Sequence, residues 1–152
     1  MRHESGRSLI EVIGVLAIAG VMAAASIRIY TSIRATQTRT IAAAELENVA
    51  KNTKLLMGMR GDYTGLSVDY LIKAGALSSD RAPIGGAWSV DVGTDRTTFE
   101  IKLSGLSMGE CDYFESAPPT WAAEMRVNGN MATTDTDYCF SSATNQVTFI
   151  VR

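Results

Sequence analysis

Histidine is almost absent from this 152-residue chain. The one copy, His3, lies two residues from the start, so a Ser or Cys triad has no imidazole deeper in the sequence and zinc lacks its commonest ligand. Most hydrolase chemistry is excluded with it, and no enzymatic activity is expected. Cysteine is scarce as well: Cys111 and Cys139 stand alone, with no further ligands at metal-binding spacing, so no metal and no other cofactor is expected. The chain also has no glycine-rich phosphate loop. Asp135 and Asp137 could serve a glycosidase in principle, but Thr133-Thr134-Asp135-Thr136-Asp137 reads as a polar loop. Calcium there would have neither EF-hand spacing nor a bidentate Glu. Proline is missing from the whole of residues 1–82, its three copies being Pro83, Pro118 and Pro119. Nothing there forces a helix to stop.

What the first part of the chain does contain is an apolar run. From Leu9 to Ile27 every residue except Glu11 and Ser26 is apolar or Gly. About 19 residues at 1.5 Å rise cross a bilayer core of roughly 30 Å, so the segment is long enough to span a membrane. Glu11 is the anomaly, since a carboxylate in hydrocarbon costs on the order of 3 kcal/mol on insertion scales. A span keeps such a group when it lies near the interface, finds a partner or serves a function.

The residues before the run discriminate among these. A secretory signal has a basic start, a shorter apolar core and a small-residue cleavage site after that core. Here the order is inverted: Met1 to Gly6 are polar and end in a single Gly, so cleavage after Gly6 would leave the apolar helix on the mature chain. At Gly6, Ser8, Leu9, Ile10 and Glu11 the chain resembles the type IV pilin and pseudopilin family, with Glu11 fifth after the scissile bond. Arg7 departs from the family pattern, in which the first mature residue is usually apolar. The resemblance implies a leader 1–6 removed by prepilin peptidase, N-methylation at Arg7, and polymerisation through the N-terminal helix. It also gives Glu11 a role, pairing with the N-terminal amine of a neighbouring subunit. In an exported chain the even pair Cys111 and Cys139 is expected to form a disulfide, the alternative being two unpaired buried thiols.

Charge is divided unevenly. Residues 7–60 carry seven basic against three acidic side chains, whereas from Gly61 onward six basic face twelve acidic ones. A basic stalk leads into an acidic head, and an acidic head does not offer the basic footprint that nucleic acid requires. Arg28, Arg34 and Arg39 follow the span while only Arg2 and Arg7 precede it. Taken alone, the positive-inside rule would put the C-terminal part in the cytoplasm. The resemblance implies the opposite, an inner-membrane precursor with its N-terminus cytoplasmic and its head periplasmic, then an extracellular filament.

Helical periodicity continues beyond the span. Ala42, Leu46, Val49, Thr53 and Leu56 recur at spacings of four and three, a stripe along one face. A helix over 7–60, membrane-spanning at about 9–27, is therefore expected to back onto a head at 61–152. In the head, 67–74 predicts a short helix capped by Ser67 and stopped at Gly75. Segments 87–92 and 97–103 flank a turn at Gly93-Thr94-Asp95-Arg96, and 107–114 predicts a helix carrying Cys111. Strands are expected at 124–127, 137–140 and 146–151. The fold class is α+β, a long N-terminal α-helix against a small, mostly antiparallel sheet.

Phe99-Glu100-Ile101-Lys102-Leu103-Ser104-Gly105-Leu106-Ser107, with Cys111 four residues on, resembles the central segment of type IVb pilins, including those of conjugative thin pili. The implied protein is a pilin subunit whose partners are further copies of itself, prepilin peptidase and the inner-membrane assembly machinery. Two other readings stay open: a type II secretion pseudopilin, and a single-pass membrane-anchored binding module.

Overall fold

The structure, a computed structural model, describes residues 3–86 and 88–152, with side chains of the first helix described from Ser8 onward. Helix α1 runs without a break over His3–Gly58. Its last turn tightens, as Arg60 N–H donates to Met57 O at 2.9 Å and Gly61, at φ +82°, turns the chain out of the helix. The chain forms two compact units, Met1–Gln37 and Thr38–Arg152.

In the first unit the helix is alone. Leu9, Ile10, Val12, Ile13, Val15, Leu16, Ile18, Val21, Met22 and Ile27 all stand exposed. By length and composition this helix can cross a membrane. The Ser26 hydroxyl is satisfied within it, as hydrocarbon demands, Oγ donating to Met22 O at 2.8 Å.

In the second unit the same helix is amphipathic. Ala42, Leu46, Val49, Ala50, Thr53 and Met57 are buried, and the apolar ones join one cluster with Phe99, Ile101, Leu103, Phe149 and Val151 of the sheet. The expected stripe is present except at its end, where Met57 is fully buried and Leu56 is 37% exposed. Four residues separate Thr53 from Met57, and at 3.6 residues per turn that step closes the face as well as three would.

After α1 come α2 (Val68–Lys73), β1 (Trp88–Val92), β2 (Phe99–Leu106), α3 (Met108–Ser116), β3 (Glu124–Val127), β4 (Asn130–Met131) and β5 (Asn145–Val151). Ser67 caps α2, accepting a hydrogen bond from Tyr70 N–H. Ser107 and Glu110 close α3 with a reciprocal capping box. All strand pairs are antiparallel, in the order β1-β2-β5-β3-β4. The C-terminal strand β5 thus lies in the middle, Phe149 facing Ile101 of β2 on one side and Met125 of β3 on the other. Alternation sets the faces: Phe99, Ile101 and Leu103 point to the core while Glu100 and Lys102 are half-buried on the other face.

β2 bulges between Leu103 and Leu106. Gly85, at φ +72°, packs its α-carbon against Ser104 O there, and a Cβ would collide with that carbonyl. The expected strand at 137–140 is not formed. Its backbone donors are taken by side chains: Glu115 accepts from Tyr138 N–H at 3.1 Å, Asp137 from Cys139 N–H at 2.8 Å and Asn145 from Phe140 N–H at 2.7 Å. No sheet edge competes for those groups, so the segment is a loop.

Thr53 is fully buried in the apolar stripe, and its hydroxyl has no hydrogen-bond partner among the described residues. Thr53→Val keeps the branched shape and removes the unsatisfied group, so it is expected to stabilise the head by about 1 kcal/mol or more. Thermal unfolding of the detergent-extracted chain checks this; a lowered melting temperature would show that the hydroxyl is satisfied.

Candidate functional site

Two places combine unusual chemistry with a defined position. The first is the start of α1. Glu11 is exposed on the helix between Ile10 and Val12, among side chains that all suit hydrocarbon. Among the described residues no ion pair involves it, and in an apolar phase a carboxylate needs a cation beside it. Gly6 and Arg7 lie in the helical backbone of α1, and the Arg7 side chain lies outside the described residues.

The second place is where α3 meets the loop before β5. Cys111, fully buried on α3, is joined to Cys139 on the loop as a disulfide, with the α-carbons 5.9 Å apart and a sequence separation of 28. Cys139 is half-buried. Around its sulfur gather Asp112 and Glu115, from the same face of α3, and Asp137 from the loop, their ligating atoms and the sulfur all within 4.8 Å of one another. Glu115 Oε2 lies 3.3 Å from Cys139 Sγ. The three carboxylates line part of a concavity of about 430 Å³ with Thr134 and Asp135. Because the sulfur is bonded to Cys111, it is no thiolate and offers a metal little.

Burial raises the Glu115 carboxyl above its ordinary range; the Tyr138 N–H pulls it back, and Asp137 and Asp112 push it further up. An amide clamp holds the other side of the loop. The buried Asn145 carboxamide donates to Leu106 O, Phe140 O and Ser142 O and accepts from Phe140 N–H. Asn128 Nδ2 donates to Tyr138 O at 2.7 Å and Asn145 Oδ1 at 2.9 Å, while its Oδ1 accepts from Gln146 N–H. Asn128 and Gly129, at φ +50° and +86°, form the tight turn between β3 and β4.

The structure brings Cys111 and Cys139 together as expected. Glu115, Asn128 and Asn145 were not foreseen, although the Asn-Gly pair at 128–129 is a turn signal in the sequence.

A long helix leading into a small antiparallel sheet, with a disulfide closing the last loop, is the type IV pilin fold. A similar solved structure is TcpA, a type IV pilin from Vibrio cholerae El Tor biotype: the two superpose with a TM-score of 0.60 at 16% identity, over 76% of this chain and 99% of that one. No family model matches the chain, and no curated protein matches it in sequence. At this identity the likeness establishes the fold.

Because the folded Glu115 carboxyl holds its proton more tightly than an exposed one, its contribution to stability is present at low pH and lost as pH rises through the raised value. Glu115→Gln keeps an acceptor for Tyr138 N–H and removes the charge. The variant is expected to melt higher than the parent near pH 7 and to lose part of the parent's gain in stability on mild acidification. Parallel melting curves for parent and variant would contradict this.

Proposed function

We propose that the chain is the structural subunit of a type IVb-like pilus. It enters the inner membrane with its head on the periplasmic side, loses Met1 to Gly6 to prepilin peptidase, becomes N-methylated at Arg7 and polymerises through α1 by way of the inner-membrane assembly machinery. The observation that carries this reading is a pilin-fold head preceded by an exposed apolar helix bearing one carboxylate, Glu11.

The physical logic is one of compensation. Out of the bilayer, the surface from Leu9 to Ile27 has to be covered, and neighbouring copies of the same helix are of the right length and polarity. In such a bundle an unpaired Glu11 would be prohibitive, whereas the amine that cleavage creates at Arg7 sits only four residues away along a neighbouring chain shifted by about one turn. Partner choice and register are then set together: only a correctly placed neighbour neutralises the charge. No step of this role calls for catalysis by the subunit.

Glu11→Ala tests it. Membrane insertion and leader removal should proceed as in the parent, while surface filaments seen by electron microscopy fall to near zero. Filaments of normal length and number in the variant would remove Glu11 from assembly.

A further inference from the structure

The two cysteines of the disulfide differ in burial. Cys111 is fully buried on α3, whereas Cys139 is half-buried on the loop. Cys139 is therefore the end of the bond that an incoming thiolate can approach. That sulfur sits among Asp112, Glu115 and Asp137, within 4.8 Å, and among the described residues no ion pair joins these three carboxylates to a cation.

We propose that Cys139 Sγ is the point at which this head undergoes thiol exchange, and that the three carboxylates make the exchange selective for cationic and neutral thiols over anionic ones. In the first step the thiolate sulfur bonds to Cys139 Sγ, the Cys111–Cys139 bond breaks, and its electron pair leaves on Cys111 Sγ, which takes up a proton from solvent. A second thiolate then attacks the external sulfur of the mixed disulfide and releases Cys139 as a thiolate. The co-reactant is an external thiol in both steps, oxidised overall to its own disulfide as the protein disulfide is reduced. Charge acts on the first encounter: an anionic thiol brings a second negative group toward carboxylates a few ångströms from the target, and a cationic one is drawn in. The leaving group adds to the resistance, since a thiolate at buried Cys111 is poorly solvated and leaves slowly. Glutathione-type thiols, with net negative charge, belong to the excluded class.

The test uses the full chain in neutral detergent at low ionic strength. Reduction is timed with cysteamine, 2-mercaptoethanol and 2-mercaptoethanesulfonate, each rate divided by that for a small uncharged disulfide so that intrinsic thiol reactivity cancels. The cationic reagent is expected to exceed the anionic one by about tenfold, and the ratio to shrink toward one as salt rises. Equal normalised rates at low salt would overturn the selectivity. The combined variant Asp112→Asn, Glu115→Gln, Asp137→Asn should abolish the ratio, and a ratio that survives it would place the selectivity elsewhere. Should that variant not fold, the salt series on the parent decides alone. Quenching the first step with an alkylating agent and mapping the mixed disulfide should locate the reagent on Cys139; finding it on Cys111 would refute the assignment.

Discussion

One helix has to serve two solvents. Its first part presents apolar side chains on every face, and its second part presents a stripe of Ala42, Leu46, Val49, Ala50, Thr53 and Met57 to the sheet. A helix that is apolar all round belongs in lipid or among helices of its own kind, whereas one with a single stripe belongs on the surface of a globular core. The same backbone satisfies both because the amides between its end turns bond within the segment, and the absence of proline before Pro83 keeps it so. The rest of the molecule follows from that constraint. The head exists to cover the stripe, and the exposed part waits for a cover the single chain does not supply.

The head is small, and its topology leaves a problem at the end. The C-terminal strand β5 is central, so the chain must return from the β3–β4 edge to the middle of the sheet through residues 132–144. That return segment has little apolar surface to bury. It is held by the Cys111–Cys139 link, by the Asn128 and Asn145 carboxamides and by Glu115. A disulfide closing a loop of this length contributes roughly 3 to 4 kcal/mol in the chain-entropy model. The amide bonds add direction, fixing which carbonyls and N–H groups face inward. Charge is concentrated at the same spot, where Asp112, Glu115 and Asp137 meet around a sulfur that cannot move away.

Much of this was legible in the sequence, and what was missed has physical reasons. The long helix, the two capped short helices and four of the strands are local in origin: periodicity, Ser caps and alternation mark them, and they fold where expected. The segment Tyr138-Cys139-Phe140 has the composition of a strand, yet three successive N–H groups are claimed by Glu115, Asp137 and Asn145, two of them distant in sequence or on another element. Propensity carries no information about such partners. β4 is only Asn130–Met131, too short to show alternation, and is visible solely through the Asn-Gly turn before it. Glu115 looks like any exposed helical acid until the loop folds over it. At the other end of the chain, Glu11 was conspicuous from the start because its cost is written in the composition of its neighbours.

The central claim is that the apolar helix is kept on the mature protein and given a new N-terminus next to it. Sequencing the N-terminus of the chain extracted from membranes of its native host tests that most directly. A chain beginning at Arg7, with or without a methyl group on its amine, is the predicted result. A chain that still begins at Met1, or one that begins beyond the apolar run, would contradict the account.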